Sequence, residues 1–172
     1  YQSKVCEGVF HRISSGTTRD GLEVFGKMEK GYLLSVDSNW DMYGDGYLSG
    51  HYFSEGALRE QLEKAYPGLV FTEEPVENQI NMYKRDKVGH ILFLTVGNKT
   101  ISGEEFRQLL ELPSSNFTMQ AADGKIRFLC KGQGHGLGLS QYGGNVLAKE
   151  GKSYKEILRY YFPECGVQKK DY

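Results

Sequence analysis

The chain has 172 residues, enough to bury a substantial core, and its 21 basic and 22 acidic side chains leave a net charge of −1. That balance, without any polybasic block, argues against a nucleic-acid binder, and no apolar run approaches the roughly 18 residues of a membrane span. Three scattered cysteines, Cys6, Cys130 and Cys165, do not make a disulfide framework, although Cys130 and Cys165 would pair if the C-terminal segment lay beside residues 125–131.

Taken in chain order, residues 1–13 alternate weakly, with Val5, Val9 and Ile13 on one parity, and predict a strand entering the polar loop Ser14-Ser15-Gly16-Thr17-Thr18-Arg19-Asp20. A chain that opens inside such a pattern is expected to be the C-terminal part of a longer protein, read here as one domain over residues 1–172. His11 shares the parity of Val9 and Ile13. It is either a satisfied half-buried histidine or one that faces a cleft. A short apolar run from Tyr32 to Val36 precedes a long irregular connection over residues 37–50. Ser54 caps a helix to about Tyr66, which Pro67-Gly68 stops, and residues 69–77 read as a solvated linker.

Two antiparallel strands follow, one around Ile80 and Met82 and one over residues 89–96, the latter expected to be buried on both faces. Ser102 and Glu105 form a capping box for a third-quarter helix ended by Pro113, and residues 117–121 and 125–131 form a hairpin around Asp123-Gly124. The second strand of that hairpin leads into GQGHGLGLSQYGG, residues 132–144, where glycines crowd His135 before a helix starts at Ser140. Glycine accepts positive φ and allows close backbone approach, so this run costs folding entropy unless it shapes something. Ser153 and Glu156 make a second capping box, with Tyr154, Ile157, Leu158, Tyr161 and Phe162 on one stripe. The pattern predicts an α+β fold of mostly antiparallel strands with four helices packed on one side.

Two familiar motifs fail on the glycine loop. Leu137 stands where a dinucleotide fingerprint needs glycine, and Tyr142 where a nucleophile elbow does. Ser140 therefore reads as a helix cap rather than a nucleophile. Cys6-x4-His11 and Cys130-x4-His135 repeat one spacing that a zinc site could use, but residues five apart on a strand point to opposite faces. No metal and no cofactor is assigned.

The run GHGLGLSQYGGNVLAKEGKSYKEILRYYF resembles the C-terminal signature of the stage II sporulation protein D and amidase enhancer family. FHRISSGTTRDGLEVFG followed by GYLLSVDS is similar to that family's second signature, and ISGEEFRQLLELPSSNFTM to its helix-and-strand passage. The resemblance implies work on peptidoglycan glycan strands by lytic transglycosylase chemistry, in which one acid protonates the glycosidic oxygen and then serves as base. In the family that acid is a glutamate upstream of the first loop, outside this chain, so no glutamate here inherits the role. The carried-over positions are His135 as a supporting residue, with Ser140, Gln141 and Tyr142 after it, and His11, Ser14 and Thr17 in the first loop. Gln133 stands where many members have a tryptophan, which removes an indole face for sugar stacking. The alternative is a non-catalytic module that binds peptidoglycan or stimulates a cell-wall amidase or other wall hydrolase. Either role implies an extracytoplasmic location at the wall or cell surface.

Overall fold

The computed structural model describes residues 1–168. In chain order the elements are β1 (Phe10–His11), α1 (Gly21–Phe25), β2 (Leu48–Phe53), α2 (Glu55–Ala65), β3 (Ile80–Arg85), β4 (Ile91–Val96), β5 (Lys99–Ser102), α3 (Gly103–Leu109), β6 (Phe117–Ala122), β7 (Lys125–Lys131), β8 (Leu139–Ser140), α4 (Gln141–Lys149) and α5 (Tyr154–Tyr161). The architecture is α+β and mostly antiparallel, and the chain folds as two compact units. One comprises residues 48–131; the other joins residues 1–47 to the chain from 132 onward.

The unit of residues 48–131 carries two three-stranded antiparallel sheets, ordered β2-β7-β6 and β3-β4-β5. Its helices start where their capping residues stand. The Ser54 hydroxyl accepts from the Ala57 amide ahead of α2, and Ser102 and Glu105 complete a reciprocal capping box ahead of α3. Asp123 and Gly124 both take positive φ, 51° and 70°, which matches the twist that a two-residue hairpin turn needs between β6 and β7. These elements enclose Leu58, Leu62, Leu94 and a nest of rings in which Phe128 meets Phe53, Phe106 and Phe117 at centroid distances of 5.4–5.8 Å.

Three expectations for this unit need correction. β2 falls partly within the stretch read as irregular, because Gly50 interrupts its pattern and only pairing with the distant β7 makes it a strand. β4 is not buried on both faces. Irregular pairing with β3 turns Ile91, Leu94 and Val96 inward, while Phe93 stays 42% exposed on an uncovered face. Within the supposed solvated linker, Leu69 and Val76 are buried, since the acidic residues between them arch outward and leave two apolar anchors in the core.

In the other unit the strand expected over residues 1–13 shrinks to Phe10–His11, paired in parallel with Leu139–Ser140. Residues before Phe10 lack a ladder partner, and Val5 is fully exposed. α1 is an additional short helix capped by Asp20. α4 and α5 begin at Ser140 and Ser153 as their sequences require, and α5 buries Tyr161 with the adjoining Phe162 while Tyr154 lies outside. With Leu147 of α4 they pack against Tyr32, Leu33 and Leu137.

Phe128→Ala, which removes a ring with no exposed surface from the aromatic nest, is expected to cost about 3–5 kcal/mol. Tyr154→Ala should change stability by less than about 0.5 kcal/mol. Denaturant unfolding of the two variants checks the contrast.

Candidate functional site

Two loops of the unit built from residues 1–47 and the chain after 131 lock together through their backbones. The Gln133 amide donates to the Ile13 carbonyl at 2.7 Å, and the Gln133 carbonyl accepts from the amides of Arg12 and Ile13 at 3.2 and 3.1 Å. Arg19 and Leu139 extend the seam by donating to the carbonyls of Gly136 and Val9 at 2.8 and 3.1 Å. This proximity explains the glycines. A Cβ on Gly134 would sit 2.8 Å from the His11 Cβ, and one on Gly138 would collide with the Val9 carbonyl.

Beneath the seam lies Asp41, carried on a short 3-10 helix over Asn39–Tyr43 and wholly buried. One carboxylate oxygen accepts from the Ser14 amide at 2.7 Å and the other from the Ser140 hydroxyl at 2.9 Å. Ser140 Oγ in turn accepts from the Gly143 amide at 3.2 Å and caps α4. A single buried carboxylate thus ties the first loop, the second loop and the helix that follows. A buried charge is tolerated where charge-assisted hydrogen bonds replace its hydration.

The seam brings His11 and His135 together, with ring centroids 5.8 Å apart and planes at 62°. His11 is 4% exposed, and its Nδ1 lies 3.0 Å from the Leu137 carbonyl. A carbonyl only accepts, so the neutral ring carries its proton on Nδ1 and keeps a lone pair on Nε2. That Nε2 is buried without a hydrogen-bond partner in the protein. Burial pushes the His11 pKa down to about 4; the bond to Leu137 opposes this and the neighbouring His135 adds to it. His135, half-buried, has the opposite tautomer, because its Nδ1 accepts from the Leu137 amide at 3.1 Å and the proton therefore sits on Nε2. One residue, Leu137, sets both rings: its carbonyl makes one an acceptor and its amide makes the other a donor.

Of the remaining expected site residues, Ser14 and Ser140 have no exposed surface and are spent on internal bonds, Ser14 Oγ accepting from Gly16 at 3.1 Å. Thr17 is half-buried and bridges to Asp37. Gln141 is exposed at the first turn of α4, and Tyr142 is half-buried with its amide donating to the Arg12 carbonyl at 3.0 Å. Gln133 does more than vacate an aromatic position: its side-chain amide donates to the carbonyls of Gly46 and Asp45 at 3.0 and 3.3 Å and pins that turn.

The sequence reading missed two residues. Asp41 is one acid among several in a polar stretch, and nothing local marks it as the buried one. Arg19, 3% exposed, donates from its guanidinium to the His135 carbonyl at 3.2 Å. The zinc reading fails because Cys130 is buried in the core of the other unit and Cys6 lies against Cys165. Among the described residues no three His, Cys, Asp or Glu side chains cluster to hold a metal.

The chain is 30% identical over 171 residues to stage II sporulation protein D of Bacillus amyloliquefaciens, and 28% identical over 172 residues to that of Bacillus subtilis. Each match covers 99% of this chain, and 47% and 48% of the relative respectively. A third match, 32% identical over 88 residues, is to the amidase enhancer of Bacillus subtilis, covering 51% of this chain and 12% of the relative. No family model matches. The chain is thus similar to the stage II sporulation protein D and amidase enhancer proteins. It spans about half the length of the sporulation proteins it matches. The matched region takes in both interlocked loops.

The low His11 pKa has a signed consequence. Unfolded His11 binds its proton near pH 6.5 and folded His11 only near 4, so stability is at its full value above about 6.5 and falls as the pH drops toward 4. The loss should reach about 3 kcal/mol and level off below about pH 4. Denaturant midpoints between pH 4 and 7 should show this slope flattened in His11→Gln. Asp41→Ala, which strips the buried amide and hydroxyl of their acceptor, should cost about 3–5 kcal/mol in the same assay at neutral pH.

Proposed function

We propose that the His11 and His135 seam is the glycan-contacting part of a cell-wall protein that processes peptidoglycan strands by lytic transglycosylase chemistry. The observation that carries the reading is the meeting of two imidazoles of complementary tautomer at the seam, their ring centroids 5.8 Å apart, His11 keeping the lone pair and His135 the proton on Nε2. A sugar hydroxyl is both donor and acceptor, and a pair of this kind orients it without adding charge. The glycine run lets the two loops pack backbone to backbone, and Arg19 at the His135 carbonyl fixes the second loop. Half-buried Tyr142 and Thr17 and exposed Gln141 are the further contact residues in this reading. Ser14 and Ser140 hold the loops instead.

The general acid in this reading is a glutamate outside the chain, supplied by the longer protein. The histidines bind and orient the substrate; His11 does not exchange its proton near neutral pH, since its pKa lies near 4. The relatives' names support a wall-related role and an extracytoplasmic location. The amidase enhancer match supports a second reading, in which the same seam grips glycan without cutting it and recruits or stimulates a wall amidase.

Digestion of purified glycan strands by the full-length protein, followed by mass spectrometry for anhydromuramyl products, tests the first reading. His135→Ala should lower product formation by about 10–100-fold, the loss of one oriented hydrogen bond at the reacting sugar. Absence of anhydro products, with sacculus binding retained by the parent protein and lost in His135→Ala, would favour the second. Binding that His135→Ala and His11→Ala leave intact would remove the seam from both.

A further inference from the structure

We propose that Cys6 and Cys165 form a disulfide that fastens the segment leading into β1 to the segment following α5. The two sulfurs lie 3.4 Å apart although 159 positions separate them in the chain. Both side chains are half-buried and pack on the cluster of Tyr32, Leu137, Leu147, Tyr161 and Phe162. The Cys165 amide donates to the Phe162 carbonyl at 3.0 Å, which holds that thiol in a turn closing off α5. Residues before Phe10 are in no ladder, so the shift of about 1.4 Å to a bonded separation near 2.05 Å falls on the compliant side of the pair. Cys130 is the wrong partner, being fully buried in the core of the unit of residues 48–131.

Burial and the neighbouring Cys6 push the Cys165 thiol up to about 11, so spontaneous oxidation at neutral pH is slow and the bond requires a disulfide donor. The thiolate of one cysteine attacks the donor's disulfide and expels a donor thiolate. The thiolate of the second then attacks the mixed disulfide at the protein sulfur, expels the donor's second thiolate and closes the Cys6–Cys165 bond. Two electrons pass from the chain's thiols to the donor, and the two protons go to solvent or to the donor thiolates. An oxidised protein dithiol or oxidised glutathione supplies that chemistry, and the inference does not depend on the glycan reading.

The closed bond would anchor the chain five residues before His11 and remove conformations from the unfolded state. The test is equilibration of the purified protein in oxidised or reduced glutathione, alkylation of free thiols and non-reducing peptide mapping. A linked Cys6–Cys165 peptide with Cys130 alkylated is expected in the oxidised sample, together with a Tm about 5–10 °C above the reduced one. Cys165→Ser should abolish both the linked peptide and the redox-dependent shift. Three alkylated cysteines after oxidation, a link through Cys130, or a Tm indifferent to redox state would each overturn the proposal.

Discussion

The site rests on one buried carboxylate. Asp41 accepts from the backbone of the first loop and from the hydroxyl that caps α4 after the second, so three segments far apart in sequence share one charge. Each bond is worth more in the interior than in water, and each leaves an uncompensated group if broken. That asymmetry makes the arrangement nearly all-or-none. The loops sit in register on Asp41 together, and the backbone seam between Gln133 and Ile13 then sets the distance between the two imidazoles.

On that frame the tautomers of the two histidines follow from the amide and the carbonyl of one residue, Leu137. Its carbonyl accepts from the Nδ1–H of His11 and its amide donates to the Nδ1 of His135, so the two rings hold opposite tautomers. Burial keeps the His11 ring neutral near pH 7, which suits uncharged hydroxyl groups better than anionic ligands. The backbone bonds to the rings also explain the glycine density: a chain that lends its amides and carbonyls to neighbouring rings has to pass close to them.

Local signals in the sequence were read well where the cause was itself local. Both Ser-x-x-Glu capping boxes, at Ser102 and Ser153, form as written, and the Asp123-Gly124 hairpin takes the turn that its residues favour. β2 escaped because its partner β7 is distant and Gly50 blurs the alternation. The supposed strand over residues 1–13 failed for the converse reason, since alternation alone cannot supply a partner edge. At the candidate site, the glycine loop leading into a helix capped by Ser140 was legible, whereas the burial of Ser14 and Ser140 on Asp41 was not.

By itself the sequence determined the helix starts, the hairpin turns, the α+β class and the pair of histidine loops, because each follows from residues within a few positions of one another. Only the tertiary structure decided which acid is buried, which tautomer His11 holds and which cysteines meet. Those outcomes depend on hydrogen bonds and contacts between groups tens to more than a hundred residues apart, and no local pattern encodes the geometry that joins them.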